Sequence, residues 1–140
     1  MGQNVWQFSP YYAFTWHAAT GWEISGRLIY DWSSRNLNPP AILQATNAQP
    51  GDQIALNLSA SYAVSPHWRI GVASYGLRQL NPTRVNDIAV PGSEQQAFAL
   101  GPAVLWTNSQ VTVLGNVYRE FATENRPEGF NAVFRVLKPF

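Results

Sequence analysis

Apolar and polar residues alternate with a period of two along most of this chain, which is typical of β-strands with one apolar face. Seven segments show the pattern, and they cover 6–16, 22–32, 53–64, 68–77, 97–106, 111–121 and 130–140. In the fourth segment the alternation is clear from Trp68 to Val72 and then weakens, so we expect a β-bulge to shift the register there. The pattern predicts an all-β chain of about seven strands.

The links between these segments alternate in length. The links 17–21, 65–67 and 107–110 are short, 33–52 and 79–96 are long, and 122–129 is intermediate. Prolines and glycines are concentrated in the long links, which indicates loops rather than overlooked helices. This order predicts an antiparallel up-and-down meander with its tight turns at one end, and a single barrel segment over residues 1–140 with no domain boundary.

Alternation alone leaves open which face meets water, because a soluble ligand-binding or lectin-like β-barrel would turn the same aromatic residues inward. The tryptophans favour a membrane. All six belong to the apolar face, and four of them lie beside the three short links. Amphipathic rings gathered at one height are typical of the girdle at a membrane interface, whereas a soluble core would scatter them. We assign to this girdle Trp6, Trp16, Trp22, Trp32, Trp68, Trp106 and Phe140.

The apolar stripe from Trp22 to Trp32 has the length that a tilted transmembrane strand needs, about 9 to 11 residues. The opposite face carries small and polar residues with isolated charges, which suits a water-filled lumen better than a packed core. We assign the lining of the lumen and its polarity to Glu23, Arg27, Asp31, Asn57, Arg69, Asn116, Glu120 and Arg135. Because no open sheet edge is stable in lipid, we expect the strands to belong to a closed barrel.

Composition narrows the range of functions. Of the 140 residues 46% are hydrophobic, 12% are charged and none is cysteine, and the net charge of +1 offers no basic surface to a nucleic acid. Glu23 and Asp31 would lie roughly 27 Å apart on an extended strand, too far for paired acid catalysis. His17 and His67 have no second metal ligand nearby in the sequence. We therefore expect no enzymatic activity, no metal and no cofactor.

The end of the sequence carries a more specific pattern. The segment 130–140 alternates apolar residues and ends on Phe140, and it resembles the C-terminal strand that the assembly machinery of bacterial outer-membrane barrels recognises. With the segments 8–16, 21–32, 65–72 and 121–129, it resembles the outer-membrane channel family linked to meta-cleavage degradation of phenol and other aromatic compounds. The resemblance implies a Gram-negative outer-membrane barrel of even strand number, roughly a dozen, that passes small hydrophobic or aromatic molecules.

This resemblance covers nearly the whole chain, but it is to the C-terminal part of a longer barrel. Seven strands are an odd number, and no signal peptide is recognisable. We therefore expect a fragment or truncated form, lying in the lipid bilayer, whose two open sheet edges favour self-association. If Phe140 marks the periplasmic end, the short links are periplasmic and the long ones are extracellular. A membrane anchor with an occluded lumen is an alternative to a channel for passive diffusion.

Overall fold

The computed structural model describes residues 5–138, apart from the side chain of Leu43. The strands are β1 (Gln7–Phe8), β2 (Tyr11–His17), β3 (Trp22–Ser33), β4 (Ala48–Gln49), β5 (Gln53–Ala63), β6 (Trp68–Gln79), β7 (Arg84–Val85), β8 (Ile88–Ala89), β9 (Gln96–Thr107), β10 (Thr112–Glu124) and β11 (Phe130–Leu137). One short 3₁₀ turn, Ala41–Leu43, lies between β3 and β4. Across residues 5–138, no helix has the length and apolar character to cross a membrane.

The long strands form one antiparallel sheet in which neighbours in sequence are neighbours in space. β1 and β2 lie at one edge and are followed by β3, β5, β6, β9, β10 and β11. β1 and β2 pair with successive parts of β3 and together make up the first predicted segment, which is interrupted at Ser9 and Pro10. The prediction of an all-β antiparallel meander with about seven long strands is therefore confirmed. The sheet is not closed between its two edges within the described residues.

β6 keeps one register along its whole length, so the bulge expected after Val72 was wrong. Its pairing with β5 and with β9 runs without a shift. The alternation weakens there because polar and charged residues take outward positions in the second half of β6, while the backbone stays regular. The irregularity lies on β10 instead, between Phe121 and Glu124, where Ala122 has a positive φ of 53°.

The links lie at opposite ends of the sheet as predicted. The tight links 18–21, 64–67 and 108–111 are at one end, which we call the short-turn end. The links 34–52, 80–95 and 125–129 are at the other, the long-loop end. In the first tight link, Gly21 adopts a φ of 89°, and its amide donates to the carbonyl of Ala18 at 3.1 Å.

The two faces of the sheet differ in the size of their side chains. Large apolar residues lie on the outer face and are exposed, whereas in the described chain the buried apolar residues are Ala73, Ala97 and Ala99. No large side chain among the described residues is fully buried, so this sheet encloses no apolar core. Trp16 and Trp22 are 55% and 47% exposed. A soluble barrel with an aromatic interior would bury these rings, so the structure favours the membrane interpretation.

A glycine in the middle of β3 allows an aromatic ring to lie against the outer face. Gly26 pairs directly with Phe14 on β2, and a Cβ at position 26 would lie only 2.4 Å from the Phe14 ring. The same Cβ would lie 3.0 Å from the side chain of Leu58 on β5. The ring thus covers a stretch of backbone that would otherwise be exposed on the outer face, as in other sheets where an aromatic residue covers a strand glycine.

At the long-loop end, the two long loops pair with each other in a small sheet of β4, β7 and β8. Asn86 and Asp87 join β7 to β8 and both have positive φ, 52° and 65°, as a two-residue hairpin turn requires. Asn86 Oδ1 accepts a hydrogen bond of 2.8 Å from the amide of Thr46 in the other loop. Asp87 forms an ion pair of 2.5 Å with Arg35. These contacts join residues far apart in sequence and fix one loop against the other.

Candidate functional site

The concave face of the sheet is the candidate functional site. It surrounds an open cavity of about 460 Å³ that extends across the sheet from β2 to β11. Along β5, β6 and β9 its wall includes several small residues, among them Ser59, Ser61, Ala73 and Ala103. These residues face one side because they occupy every second position of regular strands in register. Small side chains keep the centre of this face open.

The structure gathers the residues predicted to line a lumen on this concave face. Six of them line the cavity itself, namely Glu23, Arg27, Asn57, Arg69, Asn116 and Arg135. Asp31 and Glu120 occupy the same side of β3 and β10 nearer the long-loop end, since Asp31 is opposite Gln53 and Glu120 is opposite Ala99. The eight residues therefore share one face. Their role in a lumen stays a prediction.

Near the short-turn end, charged side chains form ion pairs with one another and hydrogen bonds with the backbone. Arg69 donates to Ser61 Oγ at 3.2 Å and to the carbonyl of Gly21 at 3.2 Å. Its guanidinium also lies 3.6 Å from the carboxylate of Glu23, which in turn lies 3.5 Å from His17 Nδ1. Arg69 thus connects β6 to β5 and to the first tight turn, and its position is fixed by hydrogen bonds as well as by charge.

Near the long-loop end, a cluster of tyrosines and polar groups lies on the same face. The Tyr75 hydroxyl donates to Glu120 Oε1 at 2.5 Å, and Arg126 lies 3.8 Å from the same carboxylate. The rings of Tyr75 and Tyr118 meet edge to face with their centroids 5.2 Å apart. Asn116 Nδ2 donates to the Tyr118 hydroxyl at 3.0 Å, while Asn116 Oδ1 is buried and has no partner among the described residues.

Sequence analysis missed both tyrosines of this cluster. Tyr75 falls in the half of β6 where the alternation weakens, and the expected bulge concealed its register. Continuing the first half of β6 without a shift would have placed Tyr75 opposite Asn57, on the concave side. Tyr118 lies two residues from Asn116 on the same side of β10, so ordinary alternation was sufficient to find it.

The eight predicted lumen residues balance in charge, since Glu23, Asp31 and Glu120 are acidic and Arg27, Arg69 and Arg135 are basic. The charges are separated along the face, however, because the cavity is lined by Glu23 and the three arginines, whereas Asp31 and Glu120 lie nearer the long-loop end. The cavity itself therefore has an excess of positive charge. In the part of the chain that the structure describes, no three His, Asp or Glu side chains form a group able to hold a metal.

The tryptophans lie at the two ends of the outer face. Trp68 on β6 pairs directly with Trp106 on β9, and Trp22 stacks on Tyr62 with ring centroids 5.3 Å apart, all near the short-turn end. Trp16 is beside the same turns. Trp32 pairs with Phe8 near the long-loop end, where Trp6 also lies. Phe140 lies outside the described residues. That these rings contact a membrane interface stays a prediction.

Two arginines on the outer face were also missed by the sequence analysis. Arg78 on β6 lies directly opposite Ile54, and Arg119 on β10 lies opposite Leu100 and Phe130. Both are exposed. The apolar pattern around them concealed these single charged positions. The outer face is therefore apolar with isolated cations, whereas the concave face combines small, polar and charged residues.

Comparison with known proteins gives two matches. Residues 1–136 match the model of a family described as the putative MetA-pathway of phenol degradation. The fold is similar to the crystal structure of an outer membrane channel from Pseudomonas putida F1, with a TM-score of 0.74 and 15% sequence identity. The match covers 96% of this chain and 48% of that one, so this chain spans about half the length of the channel. No curated protein matches the sequence. The predicted resemblance to a family linked to phenol degradation is confirmed.

Proposed function

Since the chain belongs to the family described as the putative MetA-pathway of phenol degradation, we propose that it forms part of the wall of an outer-membrane channel for small hydrophobic or aromatic molecules. Residues 1–140 act as one barrel segment in this proposal. Molecules move down their own concentration gradient, so the function requires a lined path and no catalytic residue. The short turns face the periplasm, and the long loops face the outside of the cell, as in other outer-membrane barrels.

The single observation that carries the proposal is the arrangement of the two faces. Large apolar side chains are exposed on the outer face, and the concave face holds small residues around an open cavity of about 460 Å³. A protein that folds in water hides its large apolar residues, whereas a barrel in lipid presents them to the acyl chains. The similar fold of a solved outer membrane channel supports the same conclusion.

One feature of the concave face supports aromatic substrates. The edge-to-face pair of Tyr75 and Tyr118 offers aromatic surface near the long-loop end. An aromatic solute entering from that end would meet this surface, and aromatic rings attract one another beyond the apolar area that they bury. The family's link to phenol degradation agrees with this substrate class.

The proposal is tested by obstructing the concave face with one side chain. Ser59 lines the cavity, whereas Leu56 on the same strand pairs with Leu28, is exposed on the outer face and does not line it. We expect Ser59→Trp to lower the uptake of a radiolabelled aromatic compound by Gram-negative cells producing the full-length protein. Leu56→Trp adds the same ring on the lipid side and should leave uptake unchanged. Uptake is compared at equal amounts of folded protein in the outer membrane.

The opposite results would contradict the proposal. One such result is that cells with the correctly folded protein take up no more of the compound than cells without it. This would indicate a closed lumen, as in a structural anchor. Equal uptake by Ser59→Trp and the unmodified protein would show that solutes do not pass the cavity. Recovery of the protein as a monomer in the soluble fraction would refute the membrane location on which the proposal depends.

A further inference from the structure

A second cleft lies on the outer side of the sheet at the long-loop end. Its volume is about 230 Å³, and its lining combines one aromatic ring with polar side chains. Trp32 comes from β3, Gln49 and Asp52 from the first long loop, and Asn81 and Arg84 from the second. The cleft is built from β3 and the two long loops, and β3 is separated from the edge at β11 by four long strands. It therefore does not depend on what pairs with the open edge at β11.

The register of the strands places this cleft on the lipid-facing side. Trp32 lies on the same side of β3 as Trp22 and Leu28, because even-numbered positions of β3 point outward. Two residues nearer the centre of the sheet than Trp32, Tyr30 pairs with Ile54, and Ile54 pairs with Arg78. Arg78 thus lies on the outer face directly beneath the loops that form the cleft. This level is where a barrel in the outer membrane meets lipid headgroups.

In this region the acidic group has hydrogen-bond partners among the described residues, whereas the two arginines do not. The Asp52 carboxylate accepts hydrogen bonds from the Tyr30 hydroxyl at 2.8 Å and from Asn81 Nδ2 at 3.3 Å. Neither Arg78 nor Arg84 has an ion pair or a side-chain hydrogen bond with any described residue. Two guanidinium groups without a partner in the described part of the protein, at the level of the lipid headgroups, are available to bind an anion. A guanidinium binds a phosphate group well because its planar donors match two phosphate oxygens.

We infer that this end of the outer face binds the phosphorylated sugar headgroup of a glycolipid in the outer leaflet. Arg78 and Arg84 contact the phosphate, and the Trp32 ring lies against the sugar. Gln49 Nε2 donates to the Ser33 carbonyl at 3.0 Å and Asn81 Nδ2 donates to Asp52, so each amide keeps its second N–H for a sugar hydroxyl. The inference rests on the membrane location in the proposed function, but it does not depend on transport.

The test measures binding of the folded full-length protein in detergent to lipopolysaccharide and to phosphatidylglycerol, an anionic lipid without a sugar phosphate. We expect tighter binding to lipopolysaccharide. Arg84→Gln, in an exposed loop, and the double variant Arg78→Gln with Arg84→Gln should weaken it at least about tenfold, because hydrogen bonds to charged groups are lost. The matched control is Arg35→Gln, which removes the same charge from a loop arginine already paired with Asp87. It should bind like the unmodified protein.

Several results would overturn the inference. One is equal affinity for the two lipids, and another is an equal loss of affinity in Arg35→Gln and Arg84→Gln. Competition by free glucosamine 1-phosphate at the affinity of the lipid would identify a soluble sugar phosphate as the ligand and would also overturn it. Loss of glycolipid binding with normal aromatic uptake would separate this inference from the proposed function. Failure of the protein to enter the membrane would instead refute the proposed function.

Discussion

A positive charge on the outer face of β3 should destabilise the protein far more than the same charge on the concave face. Leu28 and Ile29 are neighbours on this strand, and they point to opposite sides of the sheet. Leu28 is 43% exposed, on the side that carries Trp22 and Trp32. If that side contacts acyl chains, Leu28→Arg forces a guanidinium into hydrocarbon. Ile29→Arg places the same group in a water-filled lumen.

The expected magnitude follows from the position of Leu28 between the two tryptophans. At about 3.4 Å per residue, the strand from Trp22 to Trp32 is roughly 34 Å long. A tilt of about 40° reduces its height to roughly 26 Å, close to the apolar band of an outer-membrane barrel. Leu28 then lies within about 3 Å of the middle of this band. An arginine at the middle costs about 2–4 kcal/mol of folding free energy, and this cost falls towards the interfaces.

The assay is equilibrium unfolding of the full-length protein in phospholipid vesicles, followed by tryptophan fluorescence. We expect Leu28→Arg to lower the free energy of unfolding by about 2–4 kcal/mol and Ile29→Arg to lower it by less than about 1 kcal/mol. Heat-dependent mobility in gel electrophoresis gives the folded fraction at the start of each measurement. A larger loss in Ile29→Arg than in Leu28→Arg would refute the assignment of the two faces, and with it the membrane interpretation.

Three further substitutions test local contacts by the same unfolding assay. Gly26→Leu should lower the free energy of unfolding by about 1–3 kcal/mol, because the new side chain meets the Phe14 ring. The control is Gly76→Ala, whose Cβ would lie an ordinary 3.6 Å from its nearest neighbour. It should lower the free energy of unfolding by no more than about 1 kcal/mol. Asn86→Ala removes an acceptor that fixes the opposite loop and should speed proteolysis within the long loops without changing the sheet; unchanged cleavage would contradict this role. Tyr75→Phe should lower the free energy of unfolding by about 1.5–3 kcal/mol, since the carboxylate of its partner loses a hydrogen bond; no change would show that water replaces it.

Much of the fold could be predicted because the strands of a sheet with one apolar face carry apolar residues at every second position. Trp22 to Trp32 shows this most clearly, since each even residue points outward and each odd residue points to the concave face. The lengths of the links fixed the order of the strands, because short links between antiparallel neighbours leave no other arrangement. The predicted lumen residues share one face for the same reason.

The prediction failed where a few residues break the pattern without moving the backbone. Ser74 and Gly76 occupy outward positions and Tyr75 and Leu77 point to the concave face, so the alternation looked like a shift of register when none occurs. Nothing in the sequence indicated the bulge on β10, because an alanine such as Ala122 gives no local indication of a positive φ. The small sheet of β4, β7 and β8 also could not be predicted from the sequence. Its strands have two residues each, too few to show a period, and its contacts join distant loops.

The direction of the two edge strands limits how this sheet can be completed. β2 runs from the long-loop end to the short-turn end, and β11 does the same. An antiparallel neighbour of each edge must run the opposite way, so the strands that bridge the two edges must begin and end with a strand that runs from the short-turn end to the long-loop end. A second copy of the described sheet in the same membrane orientation also has seven long strands, but its edge strands run the same way as these, so both junctions between the copies would be parallel. The direction of the edge strands therefore selects a closing partner that differs from this sheet.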